Sequence, residues 1–143
     1  LRRQRQMCIR DRGTARRQMC QLAVNSLAPD VKNRVEVNPI EVLREGPSYT
    51  IDTVEAVAQT YPTDSIVVVV GTDAYTNIDQ WHRAEELKKM VEFVVIDRPD
   101  FPGTPNLDVD AIAVSATQIR EHHSDEVPAA VAAYIKEHNL YAS

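Results

Sequence analysis

The chain has 143 residues, a length that fits one domain with a buried core, and a formal net charge of −5. Its four glycines, Gly13, Gly46, Gly71 and Gly103, lie too far apart to build the glycine-rich loop of a P-loop or dinucleotide site. Two cysteines are too few for a disulfide framework, and no apolar run approaches the ~20 residues that cross a bilayer, so we expect a cytoplasmic protein without membrane contact.

The charge is divided unevenly between the first 13 residues and the rest. Residues 1–13 hold five arginines and one aspartate, whereas residues 14–143 hold 11 lysines and arginines against 20 acidic residues. An acidic body argues against nucleic acid as a partner, because such binding depends on clustered basic side chains. Residues 1–13 lack periodicity and resemble a peptide translated from sequencing-adapter DNA. We therefore expect a non-native basic tail over 1–13 and a domain over 14–143, with a native disordered arm as the alternative.

Helices are predicted wherever apolar residues recur at helical spacing. The first is expected to begin at Thr14, and a second carries the apolar stripe of Ile51 and Val54. Further helices are expected over 84–90, from Ser115 onward, and along the stripe 127–138.

Strands are predicted between these helices. Alternating residues predict a short strand over 34–37, and continuous apolar runs predict strands buried on both faces over 66–70, 93–96 and 111–114. Residues 98–110 contain three prolines and are expected to form a loop. This order predicts an α/β fold with a mostly parallel sheet, in which ligands bind beyond the carboxyl ends of the strands.

The sharpest local motif is Ser-Ala-Thr-Gln-Ile-Arg at 115–120, directly after a predicted strand. Ser115 and Gln118 have the spacing of a capping box, and the hydroxyls of Ser115 and Thr117 can donate to an anion. Arg120, about one turn into the helix, can reach back to a phosphate as a fork-shaped donor. The alternative is a plain capped helix with a surface arginine.

Three other segments carry candidate site residues. Asp73 follows a buried strand, where it can accept from a sugar hydroxyl, orient a metal-bound water, or merely cap a helix. Trp81, the single tryptophan, offers either a stacking face for a flat ring or a hydrophobic plug. Ser48 can cap the helix that follows, and amides at such a helix end suit a carboxylate. The four histidines lack the spacing of a zinc site, so no metal-binding residue is predicted.

Taken in order, these segments resemble bacterial nicotinate-nucleotide adenylyltransferases. The resemblance runs from about Thr14 to the end of the chain, and its most specific motifs are Pro-Ser-Tyr-Thr at 47–50 and Ser-x-Thr-x-x-Arg at 115–120. The matching stretches are 16–24, 41–53, 70–73, 81–83, 86–87, 97–99, 115–117, 119–120, 127–128, 134–135 and 138–141.

This resemblance implies a Rossmann-like nucleotidyltransferase fold and the transfer of AMP from ATP to nicotinate mononucleotide, assisted by Mg²⁺. The products are deamido-NAD and pyrophosphate, and the partners are these small molecules. Because the substrate phosphate attacks the α-phosphorus directly, no protein nucleophile is required, and catalysis rests on positioning and on donors for developing charge.

The roles implied by the resemblance form two sets. The ATP set is Ser115, Thr117, Arg120, Asp73, Gly71 and Arg98, with Arg120 as the catalytic residue. The pyridine-nucleotide set is Thr50, Trp81, His82 and Asp73. In the second set Trp81 stacks on the pyridine ring, while Thr50 and the backbone near His82 read its carboxylate.

One part of the family pattern is missing from the sequence. The first strand of the family and its G-T-F-D-P-x-H-x-x-H type motif, whose histidines contact the ATP phosphates, have no counterpart in the 143 residues. We therefore expect a fold that lacks its first βαβ unit and a chain that is inactive alone. The alternatives are another small enzyme of this fold, such as pantetheine-phosphate adenylyltransferase, and a non-catalytic fragment or relic. The Pro-Ser-Tyr-Thr segment and Trp81 favour the nicotinate enzyme.

Overall fold

The computed structural model describes residues 2–101, 103–122 and 126–141. In chain order the elements are α1 (Arg2–Asn25), α2 (Pro29–Lys32), α3 (Ile40–Leu43), α4 (Thr50–Thr60), β1 (Val67–Gly71), α5 (Thr72–Tyr75), a 3₁₀ turn (Ile78–Gln80), α6 (Ala84–Met90), β2 (Glu92–Ile96), α7 (Ala116–His122) and α8 (Ala129–Glu137). The chain divides into two compact units. The first comprises the residues up to Glu45 and those from Val114 onward, and the second is Gly46–Ala113.

The second unit is built on the parallel pair β1 and β2. Their register runs from Val67 opposite Glu92 to Gly71 opposite Ile96. Helices α4 and α6 pack together beside them, and α6 also contacts β2. The core consists of Ile51, Val54, Leu87 and Val91, with Ile66, Val68, Trp81 and Phe93 packed around it. The predicted helix over 84–90 and the strands near 66–70 and 93–96 are therefore confirmed.

The prediction that β1 is buried on both faces is wrong. Val68 packs against the core, whereas Val67 is exposed and Val69 is 62% exposed. Successive side chains of a strand point to opposite faces, so a run of valines places half of them away from α4 and α6. A continuous apolar run thus identified the strand but not the burial of its second face.

The predicted strand over 111–114 is also absent, and Ile112 is 72% exposed. The edge of β2 where a third strand would pair is occupied by Asn106, which lies closer to β2 along the chain than 111–114. The Asn106 side chain accepts from the backbone N–H of Val95 (2.7 Å) and donates to the carbonyl of Phe93 (2.9 Å). The backbone N–H groups of Asn106 and Leu107 both donate to the carbonyl of Val95. The edge groups that a strand over 111–114 would need are therefore already bonded.

The first unit differs from expectation at two places. Helix α1 begins at Arg2 rather than at Thr14, because arginine and glutamine favour a helix even without an apolar stripe. That residues 1–13 are non-native stays a prediction. The predicted strand over 34–37 is wrong, since the N–H groups of Arg34 and Val35 donate back to Val31 and Lys32 of α2. Helix α1 contacts α3 and α8, and α8 confirms the predicted last helix.

Among the described residues, no helix combines the length and apolar character that a membrane crossing requires. Helix α1 has 24 residues, but its sequence is strongly charged.

Candidate functional site

Three predicted site residues, Gly71, Asp73 and Arg98, meet at the carboxyl end of β1. Gly71 has φ −81° and ψ 161°, an extended conformation open to any residue, so its lack of a side chain matters for space. A Cβ on Gly71 would lie 2.5 Å from Oδ1 of Asp73 and 2.8 Å from Cγ of Arg98. Asp73 and Arg98 therefore both pack against the Cα of Gly71.

Thr72 joins this strand end to the loop that follows β2. Its side chain is buried, with 2% of the residue exposed. The hydroxyl donates to the carbonyl of Phe101 (2.7 Å) and accepts from the N–H of Arg98 (3.1 Å). Thr72 is given no role by the sequence, because its buried hydrogen bonds reach Arg98 and Phe101, 26 and 29 positions along the chain.

An open cleft lies beside Asp73 in the second unit. Its volume is about 440 Å³, and it is lined by Asp73, Ala74, Thr76, Asn77 and Phe101. The guanidinium carbon of Arg98 lies 5.9 Å from the centroid of the Phe101 ring, within the range of a cation–π contact. The cleft thus offers a carboxylate, a hydroxyl and an amide beside an aromatic face, which suits a polar ligand with a flat part.

A second cluster joins the Pro-Ser-Tyr-Thr segment to the segment around Trp81. The rings of Tyr49 and His82 stack with centroids 4.2 Å apart and an angle of 23° between their planes. Thr50 is the first residue of α4 and follows Tyr49 directly, so the stack joins the segment that contains Thr50 to the segment that contains His82. Trp81 is half-buried and packs against the core, so part of the indole serves as a plug while part faces outward.

Arg83, the residue after His82, bridges helices α4 and α6. Its backbone is in the left-handed region (φ 52°) immediately before α6. The guanidinium donates to Glu86 of α6 (2.6 Å) and to Glu55 of α4 (2.8 Å). These hydrogen bonds raise the pKa of Arg83, and the bond from Arg83 lowers the pKa of Glu86. Sequence reasoning gave Arg83 no role, and no local pattern distinguishes it from a surface arginine.

The phosphate motif lies in the first unit, where the predicted capping box is confirmed. The Ser115 hydroxyl accepts from the N–H of Gln118 (3.1 Å), and the Gln118 side chain accepts from the N–H of Ser115 (3.0 Å). Nη2 of Arg120 donates to the hydroxyl of Thr117 (3.3 Å), so the three predicted phosphate ligands share the start of α7. As an acceptor for Gln118, the Ser115 hydroxyl keeps its own hydrogen for a ligand.

The chain is similar in sequence to proteins of known family. Residues 14–122 match the Cytidylyltransferase-like family. A Bacillus pumilus protein named "Probable nicotinate-nucleotide adenylyltransferase" is 38% identical over 130 residues, which cover 79% of this chain and 69% of that protein. The nicotinate-nucleotide adenylyltransferase of Bacillus subtilis is 34% identical with the same coverage. The chain belongs to the nicotinate-nucleotide adenylyltransferase family. It is thus a member of a family of nucleotide-transferring enzymes, as predicted.

Solved structures confirm the fold. The nicotinic acid mononucleotide adenylyltransferase of Plasmodium falciparum complexed with APC is similar with a TM-score of 0.73 and 18% identity, over 90% of this chain and 75% of that one. The same enzyme complexed with NaAD gives a TM-score of 0.74. The predicted α/β nucleotidyltransferase fold is therefore correct, although two of its predicted strands are not formed.

Proposed function

We propose that this chain belongs to an enzyme that transfers AMP from ATP to nicotinate mononucleotide. A phosphate oxygen of the mononucleotide bonds to the α-phosphorus of ATP as the bond to the β-phosphate oxygen breaks, which gives deamido-NAD and pyrophosphate. The observation that carries the proposal is the close packing of Asp73 and Arg98 against Gly71 at the carboxyl end of β1. Ligands of open α/β sheets bind at this edge.

On the ATP side, Ser115, Thr117 and Arg120 bind the phosphates. Arg120 is the catalytic residue, because its fork-shaped guanidinium can neutralise charge that develops on the phosphoryl oxygens. Its hydrogen bond to Thr117 uses one N–H and leaves the others available. Asp73 accepts from a ribose hydroxyl, and Arg98 with Gly71 lines the adenine side.

On the pyridine side, the exposed part of Trp81 stacks on the ring of nicotinate mononucleotide. Thr50 and the backbone near His82 donate to its carboxylate. The stack of Tyr49 on His82 supports this arrangement, because it ties the two carboxylate-reading segments together.

We propose Mg²⁺ as the companion of ATP. Magnesium in proteins is commonly held by one or two carboxylates with substrate phosphates and waters. Among the described residues no three His, Cys, Asp or Glu side chains form a metal-binding group, while Asp73 provides a single carboxylate in the cleft. A single carboxylate fits an ion that is held mainly by the ATP phosphates and offsets their charge, without a dedicated metal-binding residue. We also propose a cytoplasmic location, which the scarcity of cysteine supports.

The proposal is tested by calorimetric binding of ATP and of nicotinate mononucleotide to the purified 143-residue chain. We expect Arg120→Ala to weaken ATP binding at least tenfold and to leave the mononucleotide unaffected. Arg34→Ala, which removes an exposed arginine of the same unit, is the control and keeps the wild-type affinity for both.

Three results would contradict parts of the proposal. Binding of phosphopantetheine instead of nicotinate mononucleotide favours pantetheine-phosphate adenylyltransferase. Binding of neither substrate favours a non-catalytic fragment. Deamido-NAD formation by this chain alone would refute the expected inactivity, which rests on the missing histidine motif.

A further inference from the structure

Thr72 is a buried polar residue to which the proposed roles assign no task. Its hydroxyl bonds both ends of the four-residue turn from Arg98 to Phe101, as donor to the carbonyl of Phe101 and as acceptor from the N–H of Arg98. The turn also closes on itself, since the N–H of Phe101 donates to the carbonyl of Arg98 (2.8 Å). Without the hydroxyl the turn would keep its own hydrogen bond but lose both hydrogen bonds to the residue that directly follows β1.

The Thr72 side chain is held from its other side by Gly103. A Cβ on Gly103 would lie 2.9 Å from Cβ of Thr72 and 3.0 Å from its Cγ2. The backbone of Gly103 therefore packs directly on the threonine. This contact limits the rotation of the Thr72 side chain, so the hydroxyl keeps its direction toward the turn.

The turn carries Phe101, which lines the cleft beside Asp73, and Arg98, which lies next to that ring. The Arg98 side chain lies along Gly71, and its guanidinium lies above the ring of Phe101. Phe101 is 46% exposed and lines the same cleft as Asp73. A shift of the turn would thus move the ring of Phe101 and the guanidinium of Arg98 relative to the carboxylate of Asp73.

We propose that Thr72 is a positioning residue for the ATP side of the site. Its hydroxyl sets the places of Arg98 and Phe101 relative to Asp73, so that the Phe101 ring and the guanidinium meet the adenine of a nucleotide whose ribose Asp73 holds. Aromatic rings and guanidinium planes are both good stacking surfaces for a base. The inference rests on the proposed function, because it takes the ligand of the cleft to be ATP.

The test uses three variants of the 143-residue chain. Thr72→Val keeps the shape of the side chain and removes the hydroxyl, while Thr72→Ser keeps the hydroxyl. Thr60→Val is the matched control, because it removes an exposed hydroxyl that bonds only the carbonyl of Ala56 at the end of α4. For each variant, calorimetry gives the dissociation constants of ATP and of nicotinate mononucleotide, and urea unfolding gives the stability.

We expect Thr72→Val to weaken ATP binding about tenfold, with the affinity for nicotinate mononucleotide unchanged. Thr72→Ser should restore most of the ATP affinity, and Thr60→Val should match the wild type. If the wild type binds both substrates and Thr72→Val does not change the ATP affinity, the inference is overturned and the proposed function stands. A loss of both affinities in proportion to the unfolded fraction shows a merely structural role and also overturns it. If the wild type binds neither substrate, the proposed function fails and the inference fails with it.

Discussion

Replacing Gly71 with alanine tests whether Asp73 and Arg98 form one nucleotide site. The backbone of Gly71 is extended, so alanine introduces no backbone strain. The new Cβ would stand 2.5 Å from Oδ1 of Asp73 and 2.8 Å from Cγ of Arg98. Since ordinary contacts begin near 3.4 Å, the carboxylate must move by about 0.9 Å and Cγ of Arg98 by about 0.6 Å.

These shifts should affect binding far more than folding. A strained rotamer costs about 0.5–1.5 kcal/mol, and the lower entropy of the unfolded alanine chain offsets about 0.4–1 kcal/mol of it. We therefore expect the free energy of unfolding to change by less than about 1 kcal/mol. A hydrogen bond from ribose to a carboxylate contributes about 1.5–3 kcal/mol, so its loss should weaken ATP binding roughly 10- to 100-fold.

The assay is calorimetric titration with ATP and with nicotinate mononucleotide, together with urea unfolding. Gly13→Ala is the control, because its Cβ would make an ordinary contact of 3.6 Å with Val42. It should stabilise α1 by up to about 1 kcal/mol and leave both affinities unchanged. Unchanged ATP affinity in Gly71→Ala would refute the shared site, and a loss of several kcal/mol of stability would show that Gly71 serves the fold instead.

Two further predictions concern stability. Val95→Ala should lower the free energy of unfolding by about 2 kcal/mol, because Val95 is 2% exposed. Val69→Ala, on the open face of the sheet, should lower it by less than about 0.5 kcal/mol. Equal losses for the two variants in urea unfolding would show that the open face is covered in solution. Because Arg83 lowers the pKa of Glu86, the ion pair stabilises the fold above pH 4.5, the ordinary pKa, and this contribution disappears as the pH falls through the lowered value. The melting temperature of Glu86→Gln should therefore lie below that of the wild type at neutral pH and converge with it in acid, and a difference that is constant with pH would contradict the role of this pair.

The sequence predicted what is encoded locally. The valine run before Gly71, the helix over 84–90 and the capping box of Ser115 and Gln118 each depend on residues within one element. Family motifs added Asp73 and Arg98, which the structure brings together although they are 25 positions apart.

Features that depend on distant partners could not be predicted in this way. The Thr72 hydroxyl donates to the carbonyl of Phe101, 29 residues further along the chain, and no sequence pattern in either segment predicts this hydrogen bond. The exposure of Val69 depends on which face of the sheet the helices cover, whereas its apolar character is the same on either face. The strand over 111–114 failed for a related reason, since strand formation depends on a free neighbouring edge as well as on β propensity.

Asn106 protects the edge of β2 against pairing with a strand of another molecule. An open strand edge is a template on which another chain can add a strand, and such addition is a common start of aggregation. At the centre of β2 the amide of Asn106 mimics a peptide group and satisfies both the Val95 N–H and the Phe93 carbonyl. A side chain thus ends the growth of the sheet on this side, and intermolecular strand addition there would first have to displace it.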